Sequence, residues 1–161
     1  MKPKSIIFVS IDRNSNFVKK YSTMKQIVET TWKGKMAFNA NVSGHNILMD
    51  ALPENGGEDS GSRPKQLMMA SLAGCTGMDV VSILKKMHIE PEGFDIIIEA
   101  EMTEEHPKHY TQMHIIYQFK GENLDFEKLK KAIDLSQERY CGVSAVYKQA
   151  MGITYEIKII S

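Results

Sequence analysis

The spacing of hydrophobic positions changes along this chain, and the changes mark out its elements. Between Leu67 and Leu84, inside PKQLMMASLAGCTGMDVVSILKKMHIE (residues 64–90), almost every position is apolar or small. A surface helix shows a single apolar stripe, so an apolar surface on every side predicts a buried central helix. Pro64 suits its first turn, Lys85, Lys86 and His88 meet the negative end of its dipole, and Pro91 with Gly93 ends it. Upstream, Met24–Trp32, Lys35–Val42 and His45–Ala51 alternate with a period of two, separated by Lys33-Gly34 and Ser43-Gly44. That predicts a three-stranded meander, with Met36, Phe38, Ala40 and Val42 on one face of its middle strand. Leu52–Arg63 (LPENGGEDSGSR) has no periodicity and reads as a loop running into the helix.

Downstream, Phe94–Thr103 alternates, with Ile96, Ile98, Ala100 and Met102 inward. Tyr110–Lys120 follows with Thr111, Met113, Ile115, Tyr117 and Phe119 on one face, which makes a hairpin. Asp125 is placed to cap a second helix whose inner stripe is Phe126, Leu129, Ala132, Ile133 and Ser136. Cys141-Gly142 breaks it, Ser144 caps a short third helix that Gly152 ends, and Ile153–Ile160 alternates as a last strand. Strands and helices are segregated rather than alternating, so the expected class is α+β with largely antiparallel strands. Residues 24–161 form the expected domain. Residues 1–23, with a short strand over Lys4–Ile11, form an N-terminal extension.

Composition narrows the function. With 20 basic and 20 acidic residues the formal net charge is zero, so no field favours nucleic acid or an anionic membrane surface, and neither is expected as a partner. No uninterrupted apolar run reaches the roughly 18–20 residues of a membrane span, and Ile6–Ile11 is shorter than the apolar core of a signal peptide, roughly 7–15 residues. The expected location is the cytoplasm. Two cysteines in 161 residues, Cys75 and Cys141, are not a disulfide scaffold. Either they are unrelated small hydrophobes, or they meet in the fold and do redox work. Asp79 lies one turn beyond Cys75 on the same helix face, where a carboxylate raises a thiol pKa. Activation of Cys75 then needs a cation from elsewhere, and Arg63, Lys65 and Arg139 are the candidates. His106, His109 and His114 read as solvated, Trp32 as a packing residue, and Met68, Met69, Met78 and Met87 as core filler or the lining of an apolar pocket. No metal and no cofactor is expected.

LMMASLAGCTGMDVVSILKKM behind Pro64, together with Tyr140-Cys141-Gly142-Val143-Ser144, resembles the OsmC/Ohr family, the osmotically inducible protein C and organic hydroperoxide resistance proteins. The resemblance runs from about Met24 to the C-terminus and is nearest to an OsmC-like branch of uncertain function. It implies an intertwined homodimer whose sheets wrap buried central helices. It also implies reduction of organic hydroperoxides by a thiol-dependent peroxidase, with a dithiol as reductant. Cys75 would be the attacking thiol, oxidised to a sulfenic acid, and Cys141 the thiol that closes the disulfide. The alternative use of the fold is a non-catalytic small-molecule-binding or redox-sensing dimer with the same apolar pocket. Three positions depart from the peroxidase pattern. Lys65 stands where those proteins carry Glu, Met24–Asn55 contains no Arg to pair with it, and Gly142 replaces a Pro. Lys65 or Arg63 could supply the positive charge, and Glu58 a carboxylate over the thiol.

Overall fold

The computed structural model describes residues 25–160; the expected extension over residues 1–23 lies outside them. Strands β1 (Glu29–Gly34), β2 (Ala37–Val42) and β3 (His45–Met49) form the antiparallel meander. Ser43 (φ 53) and Gly44 (φ 86) turn β2 into β3, a two-residue turn with both residues left-handed, whose twist matches that of the flanking strands. Helix α1 (Pro64–Lys86) follows, then β4 (Gly93–Met102) and β5 (Tyr110–Lys120) as an antiparallel hairpin. Helix α2 (Phe126–Leu135) runs into a π-helical turn, Ser136–Tyr140. Helix α3 (Gly142–Tyr147) and strand β6 (Gly152–Ile160) complete the chain.

The α+β class holds, with two separate three-stranded sheets, β1-β2-β3 and β4-β5-β6. One pairing departs from the antiparallel expectation: β6 runs parallel to β5 along its whole length. The crossover through α2 and α3 makes that direction natural, since a parallel neighbour requires a long connection.

The core lies between the second sheet and the helices. Leu72, Thr76, Val80 and Leu84 of α1, spaced four apart, are buried against Met113, Ile115, Tyr117 and Phe119 of β5 and against Leu129, Ala132 and Ile133 of α2. Gly77 lets β4 come close, since a Cβ there would stand 2.9 Å from Ile96 Cδ1. The fully buried helix expected from the sequence is corrected here: within one chain α1 buries this one stripe, and Met78 and Val81 remain 72% and 54% exposed. By length and composition α1 is also apolar enough to cross a membrane, with a mean hydropathy of 1.6 over its richest 18-residue window. That corrects the expectation that no stretch qualifies, although its Leu72–Leu84 stripe is occupied by the core. The helix ends earlier than Pro91: His88 takes a left-handed φ of 55 and Ile89 N–H returns to Leu84 O at 3.0 Å.

The loop before α1 is ordered by one carboxylate. Asp50 is buried and accepts from the N–H groups of Ala51, Glu58 and Ser60 and from Ser60 Oγ at 2.8–3.1 Å. These bonds, led by those from Ser60 and Glu58, hold its pKa far below the ordinary carboxylate value. Lys35–Glu58 at 2.5 Å and Arg63–Asp59 at 2.6 Å fasten the loop to the turn between β1 and β2 and to the start of α1.

Candidate functional site

Cys75 and Asp79 project from one face of α1 because they are four residues apart on a helix. Cys141 arrives from the far side of the core, at the joint between the π-helical turn and α3. That turn is closed by Cys141 N–H donating to Ser136 O, five residues back, at 2.8 Å. The extra residue it inserts carries Cys141 over α1. There the two sulfurs and an Asp79 carboxylate oxygen lie within 4.8 Å of one another. Both thiols are free; Cys141 is buried and Cys75 half-buried. Cys141, rather than the expected Ser144, caps α3, its Sγ accepting from Ser144 N–H at 3.3 Å.

The electrostatics at Cys75 run against activation. Burial raises its pKa first, the neighbouring Cys141 thiol second, and Asp79 adds to both, opposed by a hydrogen bond from Val143 N–H. The cations expected to help are engaged elsewhere. Arg63 pairs with Asp59, Lys65 Nζ lies against Met102 Sδ (3.4 Å) and Lys108 O (3.5 Å), and Arg139 sits over the Tyr140 ring. Glu58, expected over the thiol, pairs with Lys35 instead.

Behind the thiols runs a buried polar network that hydrophobic patterning did not reveal. Ser136 Oγ donates to Asp79 Oδ2 at 3.1 Å, and Thr76 Oγ1 meets Ser136 Oγ at 2.9 Å and Tyr117 OH at 2.6 Å. A hydroxyl has one proton to give. Ser136 spends its proton on Asp79, so Thr76 donates to Ser136 and Tyr117 donates to Thr76. The result is a chain with one direction, Tyr117 to Thr76 to Ser136 to the carboxylate. Gln137 Nε2 donates to both Tyr117 OH (2.7 Å) and Thr76 Oγ1 (3.1 Å), while Ser144 Oγ donates to Gln137 Oε1 at 2.9 Å. Burial pushes the Tyr117 hydroxyl up to about 12, which keeps it a donor. No buried side-chain polar atom among the described residues lacks a partner. The signal in the sequence was Thr76 and Ser136, polar positions inside otherwise apolar stripes.

Two cavities lie along α1, and neither is lined by a thiol. One, of about 600 Å³, opens beside Gly74, Gly77, Met78 and Val81 on the turn that carries Cys75. The other, of about 560 Å³, lies between Met36, Phe38, Met49 and Leu52 and the start of α1. The histidines stay apart from both: His114 Nδ1 meets Thr154 Oγ1, and His109 Nδ1 meets Pro107 O. Trp32, expected to be a packing residue, is 63% exposed, with its Nε1–H donating to Lys35 O.

Three comparisons set this geometry among known proteins. The family model described as OsmC-like protein matches residues 57–156. Protein YhfA of Escherichia coli (strain K12) is 30% identical over 129 residues, spanning 80% of this chain and 93% of YhfA. A crystal structure of a hypothetical protein from Aquifex aeolicus superposes with a TM-score of 0.73 at 30% identity, over 86% of this chain and all of that one. The organic hydroperoxide resistance protein OhrB of Bacillus subtilis shares the fold, with a TM-score of 0.59 at 19% identity over 83% of this chain and 98% of its own.

Proposed function

The chain belongs to the OsmC-like protein family, and from that premise we propose that it is a cytoplasmic, homodimeric, thiol-dependent peroxidase acting on organic hydroperoxides. The observation that carries the reading is the meeting of Cys75 and Cys141, 66 positions apart in the chain, with their sulfurs within 4.8 Å. The Cys75 thiolate attacks one peroxide oxygen, the O–O bond breaks, and the alkoxide leaves and takes up a proton as the alcohol. Cys75 is left as a sulfenic acid. The Cys141 thiolate then displaces its hydroxide, which leaves as water after protonation, and a disulfide forms. An external dithiol reopens it by two thiol–disulfide exchanges. Closing the disulfide requires the sulfurs to approach to about 2.05 Å. An open apolar groove beside Gly74, Gly77 and Met78 lies on the helix that carries Cys75, although neither sulfur lines it.

A second reading rests on a specific observation. Cys75 has its pKa raised by burial, by Cys141 and by Asp79, so its thiolate is scarce at neutral pH. That suits a slow redox sensor or a binding module using the apolar cavities. Turnover of cumene or tert-butyl hydroperoxide with excess dithiol separates the two. The peroxidase reading expects multiple turnovers, lost in Cys75→Ser, with a rate that climbs as pH rises above neutral because the thiolate fraction grows. Consumption of no more than one equivalent of hydroperoxide per chain would leave the sensor.

A further inference from the structure

We propose that the reduced protein binds one thiophilic divalent cation, of the zinc class, through Cys75 Sγ, Cys141 Sγ and a carboxylate oxygen of Asp79. Two sulfurs and one carboxylate oxygen make a mixed soft and hard set that suits a d10 ion without geometric demands of its own. The set is already gathered, with the three donor atoms within 4.8 Å of one another. Tetrahedral coordination at about 2.3 Å to sulfur and 2.0–2.2 Å to oxygen places such donors about 3.6–3.8 Å apart. The remaining approach, from within 4.8 Å to that spacing, is about 1 Å.

The surroundings hold these ligands in the way metal ligands are held. Ser136 Oγ donates to Asp79 Oδ2, which fixes the carboxylate. That hydroxyl is itself oriented by the Thr76 and Tyr117 hydroxyls behind it. Ser144 N–H donates to Cys141 Sγ at 3.3 Å, which fixes the direction of that side chain. Two of the three ligands sit on one helix and the third on the cap of another, so the spacing rests on packed elements rather than on a loop. With three protein donors the fourth position is open to water or to an exogenous ligand. Among the described residues the three cations considered for this site have partners elsewhere: Arg63 with Asp59, Lys65 with Met102 Sδ and Arg139 over the Tyr140 ring. The ion supplies the positive charge that this group of donors lacks.

The test uses the full chain, reduced and freed of metal, with zinc alone as the probe and a chromogenic chelator as competitor. One zinc per chain in native mass spectrometry is expected, together with a thiolate-to-metal charge-transfer band when cadmium replaces zinc. Cys75→Ser and Cys141→Ser should each remove the band. Asp79→Asn should keep the band and weaken zinc at least tenfold, the lower end of what second-shell losses alone cost. Alkylating both thiols of the wild type should abolish binding, an arm that needs no variant to fold. Failure of the reduced wild type to hold zinc would overturn the proposal. So would zinc held equally well by both serine variants, which would place it at histidines elsewhere, or an affinity unmoved by Asp79→Asn. Hydroperoxide turnover is measured on metal-free protein, so either idea can fail while the other stands.

Discussion

At the scale of single residues, the site is decided by which groups have protons to give. Ser136 has one and Asp79 takes it, and from that the direction of the whole chain back to Tyr117 follows. Thr76 is the joint of the network, fully buried and bonded to three partners. Thr76→Val keeps the volume but strands the Tyr117 proton and a Ser136 lone pair, which costs about 1–3 kcal/mol as a buried unsatisfied group. Urea denaturation should show that loss, with Thr76→Ser close to wild type. A valine variant as stable as wild type would mean the network carries no net stability. The placing of Cys75 and Asp79 on one helix face was legible beforehand, because i and i+4 always share a face. Their company was not. Tyr117, Ser136, Gln137 and Ser144 come from a strand, a π-helical turn and a third helix, and local periodicity carries no record of which distant hydroxyls will meet.

At the scale of elements, period-two alternation located the six strands of the described residues, and residue type located the α2 cap at Asp125, since those signals are local. It could not give the direction of β6, because a strand parallel or antiparallel to β5 shows the same alternation. Nor could it show the π-helical turn, whose single inserted residue delivers Cys141 to α1. The loop over Leu52–Arg63 read as structureless because its order comes from one side chain, Asp50, reaching across ten residues. Asp50 has a folded-state pKa lowered by its hydrogen bonds. Its contribution to stability is therefore present above the ordinary carboxylate pKa and is lost as pH falls through the lowered value. Asp50→Asn should speed amide exchange at Glu58 and Ser60 at neutral pH and flatten the acid limb of the stability profile. Unchanged exchange at those two amides would show that the flanking ion pairs hold the loop without it.

At the scale of the whole molecule, the exposed apolar surface is the outstanding feature. Ile27, Val28, Trp32, Met78 and Val81 are each more than half exposed in the single chain. Large exposed apolar side chains grouped on an element mark an interaction face, and the proposed homodimer would cover those of the first sheet and of the open face of α1 with a second copy. Light scattering should find a particle of two chains, and Val81→Glu should convert it to one; a monomeric wild type would contradict the dimer. The central claim, however, is chemical, and one experiment reaches it directly: mass spectrometry of the reduced protein after one equivalent of organic hydroperoxide, with Cys141→Ser alongside. The account predicts loss of two hydrogens in the wild type, through a Cys75–Cys141 disulfide, and a trappable sulfenic acid on Cys75 in the variant. Both thiols remaining reduced in the presence of hydroperoxide would contradict it.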